Sequence, residues 1–138
     1  MVIQFASGHL ANNRIGQTGE CLFVNGFLSG SGNILEGGSF ATIVLSYQSV
    51  AENFHDNHIL NAGGLSLDAS LGLFPPRNFD FTNNYWGTAD PGQIAEWIED
   101  RNDNSSSWMF IDYQPFHTDP VGTKPKSMGS FKALFGGN

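Results

Sequence analysis

Phe54-His55-Asp56-Asn57-His58-Ile59-Leu60-Asn61-Ala62-Gly63-Gly64-Leu65-Ser66-Leu67 is the stretch that decides the fold. With Asn57 as position zero, apolar residues stand at −3 (Phe54), +2 (Ile59), +8 (Leu65) and +10 (Leu67). The same frame recurs around Asn13, with Leu10, Ile15, Cys21 and Phe23, and around Asn33, with Gly30, Leu35, Ala41 and Ile43. Asn84 repeats its first half, with Phe81 and Trp86. A self-similar unit of roughly 20–27 residues, rich in strand formers and broken by glycine, is the mark of a β-solenoid. The rungs read as residues 7–27, 28–50, 51–77 and 78–88.

Alternation along a strand sends successive side chains to opposite faces. The +8 and +10 columns therefore read as interior, and Phe27 or Leu28 is expected to fill the gap at Gly30. The outward column Leu22, Val24, Thr42 and Val44 is unusually apolar for a solvent face. The asparagine sits where the parity breaks, at a turn, where its side chain tolerates left-handed backbone and bonds locally. Stacked at one corner of successive rungs, Asn13, Asn33, Asn57 and Asn84 are expected to form a structural ladder of side-chain amides.

Beyond Trp86 the repeat stops. Asp90-Pro91-Gly92-Gln93 carries an N-cap, a proline at the first helical position and a capping-box glutamine. Ile94, Trp97 and Ile98 then give a narrow apolar stripe on a helix of about ten residues. Trp108 to Tyr113 reads as one further strand. The expected layout is rungs over residues 1–88, a capping helix and strand over 89–117 built on Trp86, Ile94, Trp97 and Ile98, and a tail over 118–138. The lysines of that tail (Lys124, Lys126, Lys132) oppose the acids of the cap. It is expected to fold back and bury Phe131, Leu134 and Phe135 on the outward apolar column.

The composition narrows the partners. The chain of 138 residues has 6 Lys and Arg and a net charge of −7, the wrong balance for nucleic acid or an anionic membrane. No run approaches a membrane span, so membrane insertion is not expected. Met1 to Gly8 has neither the basic start nor the apolar stretch of a secretory signal. The one cysteine, Cys21, excludes an intrachain disulfide and reads as a buried plug. The first rung shows no cap in this sequence, which predicts self-association through residues 1–25 or further rungs upstream.

For chemistry, His55 and His58 are the candidate acid–base or metal-binding pair, both expected to face solvent at the asparagine corner. Asp68 is the one acid on the flat outer face and the first candidate for a catalytic carboxylate or for calcium, the only cofactor considered. Asp80 and Glu52 are spread over other positions. Tyr47, Tyr85 and Tyr113 are the outward aromatics suited to stack on sugar rings. Trp86, Trp97 and Trp108 read as cap core. Zinc cysteines, a phosphate loop and a nucleophile elbow are all missing from the sequence.

Asn83-Asn84-Tyr85-Trp86-Gly87-Thr88, then Asp90-Pro91, Ile94, Trp97-Ile98 and Ile111-Asp112-Tyr113-Gln114-Pro115-Phe116, resembles the C-terminal end of right-handed parallel β-helix repeat proteins of the pectate-lyase-like superfamily. Lys126 to Phe135 is similar to their terminal segment, with Met128 where tryptophan is expected. The resemblance covers residues 79–135 and implies an all-β fold: a short right-handed parallel β-helix of three to four rungs, with a capping helix and wrapping tail. It implies an extracellular or cell-envelope setting. The expected function is that of a non-catalytic surface or secreted module, a scaffold that binds carbohydrate. The alternative is a remnant of a polysaccharide lyase or epimerase. A groove of converging carboxylates with a base would favour the enzyme.

Overall fold

The computed structural model describes residues 2–5, 7–16, 21–37, 40–61 and 63–122. They form an all-β structure of parallel sheets with one short helix. The first sheet has five strands: β1 (Val2–Phe5), β4 (Cys21–Val24), β7 (Ala41–Leu45), β10 (Leu65–Asp68) and β12 (Ile98–Glu99). A second holds β2 (Gly8–Ala11), β5 (Phe27–Ser31) and β8 (Val50–Phe54). A third holds β3 (Arg14–Gly16), β6 (Ile34–Glu36) and β9 (His58–Leu60). β11 (Arg77–Asp80) pairs with β13 (Met109–Asp112), and single bridges join His58 to Tyr85 and Tyr85 to His117. All of these pairings are parallel, and each of the first three repeats adds one strand to each of the three larger sheets in turn.

The columns of the sequence frame become columns of the core. Leu35 and Ile59 lie in register and fully buried, and Trp86 follows them. Leu10, Gly30 and Phe54 are also in register. The Phe54 and Phe81 rings meet edge-on at 5.7 Å, a contact worth about 0.5–1.5 kcal/mol beyond its buried area. Gly30 is required there, because a Cβ would lie 1.9 Å from the Leu10 carbonyl oxygen. Leu28 fills the space beside it and is buried, whereas Phe27 is 40% exposed.

In β4 the expected parity is inverted. Leu22 and Val24 are core residues, in register with Ile43 and Leu45, while Phe23 is only half-buried. Gly16 pairs with Glu36 and Leu22 with Ile43, so the connection from β3 to β4 is one residue shorter than that from β6 to β7. With a side-chain period of two, one missing residue sends the whole strand to the other face. Leu22 and Val24 therefore cannot form an outward docking column. The tail residues expected there, Phe131, Leu134 and Phe135, and the Met128 segment lie outside the described residues.

The helix α1 (Pro91–Glu96) is six residues long, not ten. The N-cap, the proline and the buried Ile94 are as the sequence predicts: the Asp90 carboxylate accepts the Gly92 N–H at 2.9 Å and Pro91 opens the first turn. In place of a capping box with Gln93, the Asp90 N–H donates to Thr88 Oγ1 at 3.1 Å. It ends at Glu96 because the next residues join the first sheet. The Trp97 carbonyl accepts from Ser66 N at 2.7 Å, and Ile98 stands beside Leu67 in β12. Burial of Ile98 in the sheet outweighs the weak helical preference of an isolated apolar stripe. The strand pairing thus runs past residue 88 to His117, through β12, β13 and the Tyr85–His117 bridge.

Candidate functional site

The four asparagines form one continuous chain of hydrogen bonds. Asn13 donates to Asn33 Oδ1 from its backbone N at 2.9 Å and from Nδ2 at 3.2 Å. Asn33 does the same to Asn57 at 3.0 and 2.8 Å, and Asn57 to Asn84 at 3.0 and 3.1 Å. Asn33, Asn57 and Asn84 are fully buried. The left-handed backbone falls one residue earlier than expected, at Asn12, Gly32, Asp56 and Asn83, with φ of 57°, 74°, 60° and 59°. Asn and Asp tolerate that conformation and Gly has no side chain to oppose it.

The corner also positions the side chains around it. His55, two residues before Asn57, is half-buried, and its Nε2 lies 3.0 Å from Asp80 Oδ2 and 3.4 Å from Thr82 Oγ1. Asp80 Oδ1 accepts from Thr82 N at 3.0 Å and from Thr82 Oγ1 at 2.7 Å. Partial burial pushes the Asp80 carboxyl up, but the Thr82 hydroxyl and N–H and the His55 ring together outweigh it. They hold the group below its ordinary value. Asp80 is thus ionised and fixed in orientation on both oxygens.

Asp112 stands directly beside Asp80 in the parallel ladder, where neighbouring strands lie about 4.8 Å apart. Asp112 is exposed, and Asn78 Nδ2 donates to its Oδ2 at 3.4 Å. With Thr82, Ile111, Tyr113 and Gln114 the two acids line an open groove of about 570 Å³. The Tyr113 ring packs edge-on to Trp86 at 6.5 Å and its hydroxyl donates to the Pro91 carbonyl at 3.2 Å. Ring and hydroxyl are thus held on the core side of β13, the face opposite Asp112.

The other candidates are placed elsewhere. His58 is not at the groove: its Nε2 lies 3.1 Å from the Val121 carbonyl, and its ring meets Tyr85 edge-on at 5.4 Å. Burial lowers its pKa, more than the carbonyl contact raises it. Tyr85 is therefore half-buried, while Tyr47 is 51% exposed at the corner between β7 and β8. Asp68 is only 4% exposed, not outward on a free face, and its Oδ1 is used by the Ser70 N–H at 2.9 Å. Among the described residues no three His, Cys, Asp or Glu side chains gather as a cation site, and no helix is long and apolar enough to cross a membrane.

Asp112, Thr82 and Gln114 were not visible as site residues in the sequence. A signal does exist: Asn78-Phe79-Asp80-Phe81-Thr82 and Phe110-Ile111-Asp112-Tyr113-Gln114 align position by position. The helix and the loop from Asp100 to Ser107 lengthen the interval between them and hide the match. Compared with protein-family models, curated proteins and solved structures, the chain matches none.

Proposed function

We infer that the chain is a right-handed parallel β-helix, capped by α1 and its flanking strands, that serves as a non-catalytic module of a surface or secreted protein. It binds carbohydrate in the groove beside β13. The carrying observation is the Asp80–Asp112 register with Thr82, Gln114 and Tyr113 around it. Short polar groups fixed on neighbouring strands suit the paired hydroxyls of a sugar. The handedness rests on the family resemblance and on the rule that parallel crossover connections within a sheet are right-handed in about 98% of cases.

The groove also favours one class of saccharide. Its lining holds two acids and neither Lys nor Arg. An anionic polyuronate would be repelled, whereas neutral and amino sugars would not. This weighs against the lyase or epimerase alternative. A specific observation keeps a catalytic reading in second place: His55 bonded to Asp80, beside a second carboxylate, is the converging base and acid pair that an enzyme needs.

Titration of the chain with neutral, amino-sugar and polyuronate oligosaccharides, followed by amide chemical shifts, tests the proposal. Shifts confined to residues 78–82 and 110–114, abolished in Asp112→Ala and Gln114→Ala, support it. Absence of binding to every neutral and amino sugar contradicts it. Accumulation of cleaved or unsaturated products would favour the enzyme.

A further inference from the structure

The asparagine chain has a direction, and its first member is unfinished. At each of the three junctions the earlier asparagine gives two donors, its backbone N and its Nδ2, to the Oδ1 of the next. Nδ2 also reaches back to a carbonyl of the preceding repeat: Asn33 to Leu10 at 3.0 Å, Asn57 to Gly30 at 3.2 Å, Asn84 to Phe54 at 2.7 Å. Asn13 Oδ1 accepts from no donor among the described residues, while its Nδ2 bonds the carbonyl two residues earlier, Ala11 at 3.2 Å, as Asn57 and Asn84 do. The surrounding core is open on the same side. Leu10 and Ile15 are only partly buried, although their column mates Phe54, Leu35, Ile59 and Trp86 are fully buried. Among the described residues, β1, β2 and β3 are each paired on one edge alone.

We propose that this end is a docking face for one more parallel repeat that carries an asparagine at the same corner. Such a unit supplies what Asn13 lacks: two N–H donors for Oδ1. It also supplies strand edges for β1 to β3 and side chains over Leu10 and Ile15. A second copy does not fit. Docked by the same end, it would set one Asn13 oxygen against the other. Docked by its far end, it would present Phe116, which stands beside Asn84 and has no amide side chain.

The test joins a copy of residues 21–40, whose corner residue is Asn33, ahead of Met1 of the full chain. Amide exchange of residues 8–16 and of the Asn13 side chain is read with and without it. The expected result is slowing of about tenfold or more and a higher unfolding midpoint. Both gains are lost when the added copy carries Asn33→Ala. An extension of two such copies removes poor folding of a single repeat as an explanation. No added protection in either extension, or equal protection from the alanine copy, overturns the proposal. So does dimerisation of the unextended chain with a protected Asn13 amide, which would make a second copy the occupant.

Discussion

Asn33 and Asn57, far apart in sequence, are joined by two hydrogen bonds that converge on a single oxygen, Asn57 Oδ1. Asn57 Nδ2 in turn donates to Gly30 O, His55 O and Asn84 Oδ1. Asn57→Ala leaves the buried Asn33 N–H without its acceptor and the His55 carbonyl without this donor, and takes one of two donors from Asn84 Oδ1 and from Gly30 O. Each unsatisfied buried group costs about 1–3 kcal/mol. The expected loss is about 3 kcal/mol or more by denaturant unfolding. Asn102→Ala, an exposed substitution by comparison, should cost less than about 0.5 kcal/mol.

Gly30→Ala places a Cβ against the Leu10 carbonyl oxygen, at a φ of 149° that side chains avoid. The two parallel strands would have to separate. A loss of about 3 kcal/mol or more is expected, whereas Gly122→Ala, where a Cβ meets open space and no left-handed φ opposes it, should be neutral or stabilising by up to about 1 kcal/mol.

His58 has a pKa below its ordinary 6.5 because burial disfavours the charged ring. The unfolded chain then takes up a proton before the folded one does, so stability falls as pH drops below about 6.5. His58→Phe keeps an edge contact for Tyr85 and removes the titration. Its unfolding midpoint should vary less than that of the parent between pH 7 and pH 5, the contribution of the other groups being common to both.

Asp80 behaves in the opposite chemical sense. Its depressed pKa gives stability that is present above the ordinary value of 3.8 and is lost as pH falls through the folded value. Thr82→Val removes the hydroxyl that donates to Oδ1. The Asp80 carboxyl should then titrate at higher pH by carbon-detected NMR. An unchanged titration would mean that Thr82 does not hold it.

Much of the architecture was legible because one asparagine per repeat marks the corner, and the +2 column of Ile15, Leu35, Ile59 and Trp86 needs only counting. The failures have a common cause. A position counted from the corner is reliable only while the connection keeps its length, and one residue less before β4 turned Leu22 and Val24 inward. The apolar stripe alone overextends the helix, because Trp97 and Ile98 fit it as well as they fit the sheet, and only the partner Leu67 decides between the two. The groove was hidden for the same reason. Asp80 could be seen as an acid, but its neighbour Asp112 is supplied by a pairing across an inserted helix.

The most direct measurement is hydrogen exchange of the side-chain amides of Asn13, Asn33, Asn57 and Asn84. Stacking of the repeats through the asparagine corner predicts strong protection at Asn33 and Asn57, buried and bonded to an asparagine on each side, and at Asn84, buried with its Nδ2 bonded to the Phe54, Phe81 and Thr82 carbonyls. Asn13 should exchange faster, and exposed Asn102 fastest. Exchange of the three buried amides at the rate of Asn102 would contradict the stacked corner and the groove that is built upon it.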